Sequence, residues 1–101
     1  MERIKTLELS FIGIGQVKGY KFTQISKTDR GFIYEVDSGD ALHYEVFKRH
    51  VNRRFARISY PTNKAFGIWA WTTLNKNRAF QILHGLEQVK SKQRKTISFL
   101  N

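Results

Sequence analysis

Two alternating runs joined by a tight turn limit what this chain can fold into more than any other feature. Phe32, Tyr34 and Val36 alternate with Ile33, Glu35 and Asp37. After Asp37-Ser38-Gly39-Asp40, Leu42, Tyr44 and Val46 alternate with His43, Glu45 and Phe47. Successive side chains of a strand point to opposite faces, so two such runs around an Asp/Gly-rich turn predict an antiparallel hairpin. Leu42, Val46, Phe47, Val51 and Phe55 also fall near helical spacing, with Asp40 as a cap, so a helix over 42–55 stays open. The β-branched and aromatic content, and the ready partner at Phe32–Val36, favour strand.

Other strand-like runs surround this hairpin. Leu7–Ile14 reads as a strand or extended arm and Gly19–Ser26 as a second strand, followed by the turn Thr28-Asp29-Arg30-Gly31. Arg54–Tyr60 and Phe66–Thr73 flank Pro61-Thr62-Asn63-Lys64 and read as a second hairpin. From Asn75 to Gln88 the period changes: Ala79, Ile82, Leu83, Leu86 and Val89 share one face, and Asn75 or Asn77 can accept the first free amide hydrogens. The expected fold is α+β: an antiparallel sheet of about five strands, followed by one long amphipathic helix on one sheet face, the other face left open. Residues 1–89 would form a single compact domain and 90–101 a basic C-terminal tail or edge strand. At 101 residues there is no room for a second core.

Charge points to a partner. Eighteen Lys plus Arg against eight Asp plus Glu give a formal net charge of +10, more than solubility requires and suited to a polyanion. The excess lies in the second half. From Val46 onward there are twelve basic residues and one acid, Glu87, whereas Met1–Glu45 holds six bases and seven acids. The acids gather between Asp29 and Glu45, and the bases in Lys48–Arg57 and Lys90–Lys95. A two-poled chain of this kind binds a polyanion in one orientation, with the acidic hairpin turned away. No run approaches the roughly 20 apolar residues of a membrane span, and Glu8 and Ser10 interrupt what would be a signal sequence. The expectation is a soluble, cytoplasmic protein that does not engage membranes. With no cysteine there is no disulfide, thiol nucleophile or Cys-based zinc site.

Strand alternation across the expected second hairpin assembles the candidate site. Ala56, Ile58 and Tyr60, with Phe66, Ile68 and Ala70, would face the helix. Arg53, Phe55, Arg57, Trp69 and Trp71 would share the uncovered face. Bases stack on aromatic rings and guanidinium groups take phosphates, each stacked base contributing about 1–3 kcal/mol. Against this stands the reading in which both tryptophans are core, since they bury large areas. Lys48, Arg49, His50 and Arg54 add a basic cluster that no acid between Val46 and Leu86 offsets, and Lys90, Lys92, Arg94 and Lys95 would form an electrostatic arm. The order of strands and closing helix is similar in architecture to Whirly-type and coactivator-type single-strand binders, a resemblance that carries over no residue.

Catalytic signatures are poor. His43, His50 and His84 form no ligand pair, and no cofactor motif is complete: Gly13-Ile14-Gly15 lacks the third glycine of a dinucleotide fingerprint. Asp37, Asp40, Glu45 and Lys48 loosely resemble nuclease acid–lysine sets, but a strand would put Glu45 and Lys48 on opposite faces. The leading expectation is a non-enzymatic nucleic-acid-binding protein with no metal or cofactor, preferring single-stranded or distorted DNA or RNA with little sequence choice. The alternative is an assembly module whose Trp/Arg face anchors an acidic protein surface. An open sheet edge also allows a homo-oligomer.

Overall fold

The computed structural model describes residues 4–86. The expected arm, with Lys90, Lys92, Arg94 and Lys95, and the edge strand expected near 96–100 lie outside the described residues. The architecture is α+β. Strands β1 (Ser10–Ile12), β2 (Lys21–Lys27), β3 (Gly31–Asp37), β4 (Leu42–Lys48) and β7 (Ala70–Thr73) form a five-stranded sheet in the order β1-β2-β3-β4-β7, every pair antiparallel. Between β4 and β7, β5 (Val51–Asn52) and β6 (Arg57–Ile58) form a separate two-stranded ribbon. Helix α1 occupies 76–86 of the described residues.

The 32–47 pattern folds as its alternation predicts. β3 and β4 pair from Gly31↔Lys48 to Asp37↔Leu42, so residues 42–48 are strand and not helix. Their turn is held by Asp37 Oδ1, which accepts the Gly39 N–H at 2.8 Å, and Gly39 takes φ 95°, where a side chain would be strained. On one sheet face Ile33, Tyr44 and Val46 pack with Ala79 and Leu83 of α1. The helix begins where expected: Asn75 Oδ1 accepts the Arg78 N–H at 3.0 Å, and Thr73 Oγ1 accepts the Asn75 N–H at 3.1 Å. The later turns come close to the start of β3. A Cβ on Gly31 would meet the Phe47 carbonyl oxygen at 2.4 Å and the Leu83 and Leu86 methyls at 3.1 and 3.2 Å, so glycine there permits the approach. A bulge in β2, between Gln24 and Ser26, adds Ile25 to this helix-side layer.

The opposite face is not open, contrary to the sequence expectation. It carries Phe22, Phe32, Tyr34, Val36, Phe47 and Ala70, with Phe11 of β1 beside them, and against them pack Ile4 and Leu7 of the N-terminal segment together with Ile58, Tyr60, Ala65 and Phe66. The segment is stitched at both ends: the Lys5 N–H donates to Ala56 O and the Gln24 N–H to Leu9 O, both at 2.8 Å. Tyr60 stands in the middle, its ring within 4.8–5.6 Å of Phe11, Phe22, Tyr34 and Phe47, tilted or edge-on to each. Such offset contacts suit the quadrupoles of aromatic rings.

The expected second hairpin also fails. Arg57–Ile58 pairs with Val51–Asn52, and Ala70–Thr73 pairs with β4. The four-residue turn 53–56 closes a shorter loop than the one around Pro61, and Asn52 Oδ1 supports it by accepting the Phe55 N–H at 3.3 Å. Pro61 is buried, and Asn63–Ala65 coil into a 3-10 turn. Ile68, expected to face the helix, is 71% exposed.

Candidate functional site

The ribbon carries three exposed arginines, Arg53, Arg54 and Arg57. Pairing of β5 with β6 continues through Ser59, whose N–H donates to His50 O at 2.8 Å, so residues 50–59 form one hairpin. At its tip Arg53, Arg54 and Phe55 are exposed, and Ala56 completes the turn at φ 50°, unusual for a residue with a side chain. The Phe55 ring is 58% exposed, with the guanidinium carbons of Arg54 and Arg57 5.5 and 5.2 Å from its centroid. Contacts of this kind stabilise by roughly 0.5–1 kcal/mol at exposed sites. Among the described residues the one ion pair is His43–Glu45, so no described Lys or Arg is paired with a described carboxylate. Two cations therefore meet on one ring with no described counterion.

The two tryptophans do not form a common platform. Register sets Trp71 opposite Val46, on the helix side of the sheet. Trp69 precedes β7, where the turn 67–69 breaks the alternation, and packs on the aromatic side, edge-on to Phe47 at 6.5 Å. Both are half-buried. His50 stacks on Trp69 with centroids 4.5 Å apart and planes 12° from parallel, a contact that sequence reasoning missed because it weighed His50 as a metal ligand and as a member of the basic cluster, not as a ring.

Lys48 and Arg49 lie apart from the ribbon tip, at the end of the sheet where β4 leaves it. Both are exposed, and the Arg49 N–H donates to Arg30 O at 2.7 Å, bringing Arg30 into the same end. Asp37 and Asp40 cap the other end of the β3–β4 hairpin, about 20 Å away along a seven-residue strand. The two-pole expectation is thus right for Asp37 and Asp40 but needs correction for Asp29, which sits in the β2–β3 turn beside Arg30, at the basic end.

A groove of about 680 Å³ runs between the N-terminal segment and the ribbon. Phe11, Tyr60 and Trp69 give it aromatic walls, Lys5, His50 and Arg57 line it with basic groups, and Glu8 is the acid on its lining. Lys5 and Tyr60 belong to it although no sequence pattern marked them: one is an isolated lysine, the other was expected to face the helix. Tyr60 donates from its hydroxyl to Glu45 Oε1 at 2.5 Å, and the other oxygen of that carboxylate lies 3.1 Å from His43 Nε2. Burial, and then the negative charge of Glu45, push the Tyr60 phenol far above its ordinary range, so it remains a donor. This network satisfies a half-buried carboxylate, and no group of three or more metal-ligating side chains occurs among the described residues. No described helix is long and apolar enough to cross a membrane. Comparisons with protein families, curated proteins and solved structures find no match to this chain.

Proposed function

We propose that this is a small non-enzymatic nucleic-acid-binding protein that takes single-stranded or distorted DNA or RNA with little sequence preference. The observation that carries the reading is Phe55, an exposed ring with two guanidinium groups within 5.5 Å of its centroid and no described counterion for either. A solvent-facing ring flanked by cations suits a partner that is both polyanionic and flat, since bases stack on the ring while phosphates reach the arginines. Arg53, Arg54 and Arg57 would hold phosphates, and Lys48 and Arg49, with Arg30, would extend the contact along the basic end of the sheet. Phe55 would stack a base and Trp69 would line the path; Trp71, on the helix side, drops out of the stacking set. Lys90, Lys92, Arg94 and Lys95 would add long-range attraction.

Titrating tryptophan emission with oligo-dT and oligo-U over a salt series tests this. Binding should weaken steeply and linearly on a log–log plot as counterions are released. Homopolymers that fail to bind at low salt would remove the reading and favour an acidic protein surface, for which the same ring and arginines would serve as the anchor.

A further inference from the structure

Lys5 and Arg57 are held side by side by the backbone. Their residues pair as a parallel bridge, the Lys5 N–H donating to Ala56 O and the Ile58 N–H donating to Lys5 O, each at 2.8 Å. Paired residues of a ladder point to the same side. Both side chains are exposed, both line the groove, and neither pairs with a described carboxylate. Like charges at directly opposed positions repel, and an anion seated between them turns that repulsion into attraction. Phe11, Tyr60 and Trp69 also line the groove, Trp69 with the His50 ring stacked on it, and the groove's volume of about 680 Å³ falls within the roughly 300–1,000 Å³ of small-ligand sites.

We infer that the groove seats one nucleoside monophosphate unit, its phosphate between Lys5 and Arg57 and its base against the aromatic walls. The two cations outweigh Glu8, whose carboxylate can accept an N–H from the base edge. Arg57 belongs to both regions, because it also lies over Phe55, so a strand following the ribbon is led into the groove. The inference rests on the nucleic-acid reading and narrows it: the same unit can arrive as a free nucleotide or as one residue of a strand.

The experiment measures binding of UMP, AMP and inorganic phosphate, and of oligo-dT with and without a terminal phosphate, by tryptophan fluorescence. It uses the wild type, Lys5→Ala, Lys5→Arg, and Lys18→Ala as a control for lost charge. Saturable binding of UMP or AMP, weakened about tenfold by Lys5→Ala, restored by Lys5→Arg and unmoved by Lys18→Ala, supports the site with a free nucleotide as source. The same pattern confined to the oligonucleotides supports it with the strand as source. Oligonucleotide binding indifferent to Lys5→Ala, with no mononucleotide binding, overturns the groove and leaves the nucleic-acid reading standing. Mononucleotide binding without oligonucleotide binding keeps the groove and removes that reading. Inorganic phosphate binding as tightly as UMP overturns the role of the aromatic walls.

Discussion

On the helix side of the sheet, Ile33, Val46, Ala79 and Leu83 close a mostly aliphatic layer beneath one regular element. On the other side Phe22, Phe32, Tyr34, Phe47 and Tyr60 close an aromatic layer beneath irregular pieces: the N-terminal segment, the ribbon and a 3-10 turn. Large rings bury about 150–250 Å² each, so a few of them anchor covering segments built of short elements and extended chain. Those segments are then free to carry exposed arginines and to leave a groove. Both layers are core, and only the irregular side also carries the features proposed to bind, as loops on a rigid scaffold commonly do.

The contrast is broken most severely at Phe47, which is fully buried and touches Phe32, Tyr34, Tyr60 and Trp69. Phe47→Ala should cost about 3–5 kcal/mol in urea unfolding, against about 2–5 for Leu83→Ala. A clearly larger loss for Leu83→Ala would make the helix side the dominant core. Tyr60 sharpens the same comparison through pH. Its phenol is raised above the ordinary value of 10.0 by burial and by Glu45, so the folded state keeps a proton that the unfolded chain loses. The resulting stabilisation is complete below pH 10 and is lost progressively as pH rises beyond it. Tyr60→Phe should flatten that alkaline decline by up to about 1.4 kcal/mol per pH unit; an unchanged slope would show that the hydroxyl is not held. Burial raises Tyr34 in the same direction, so some decline remains. Asn75→Ala should remove about 1 kcal/mol by uncapping α1. Last, Phe55→Ala, which removes two exposed cation–π contacts, should cost no more than about 1 kcal/mol of stability while weakening oligonucleotide binding. A large stability loss there would mean that the ring is structural.

The same division explains what could be read from the chain. The β3–β4 hairpin, α1 and the Asn75 cap each rest on a local pattern, a period or a side-chain acceptor at a fixed offset, and each is present. The aromatic side depends on contacts distant in sequence. Lys5 against Arg57 and Phe11 against Tyr60 leave no periodic trace. Of the site residues, Arg53, Arg54, Phe55 and Arg57 do come together, though through the turn 53–56 and not through a partner at 66–73. Trp69 and Trp71 fail as a pair because strand alternation was extended through residues 67–69, which form a turn.

The claim at the centre of this account is that the ribbon arginines meet phosphates. The most direct test compares the salt dependence of oligo-dT affinity for the wild type and for a double variant, Arg53→Gln with Arg54→Gln. Removing two phosphate contacts should make the log–log slope shallower by about 1.4, roughly 0.7 for each on a single strand. An affinity and a slope that both match the wild type would contradict the account.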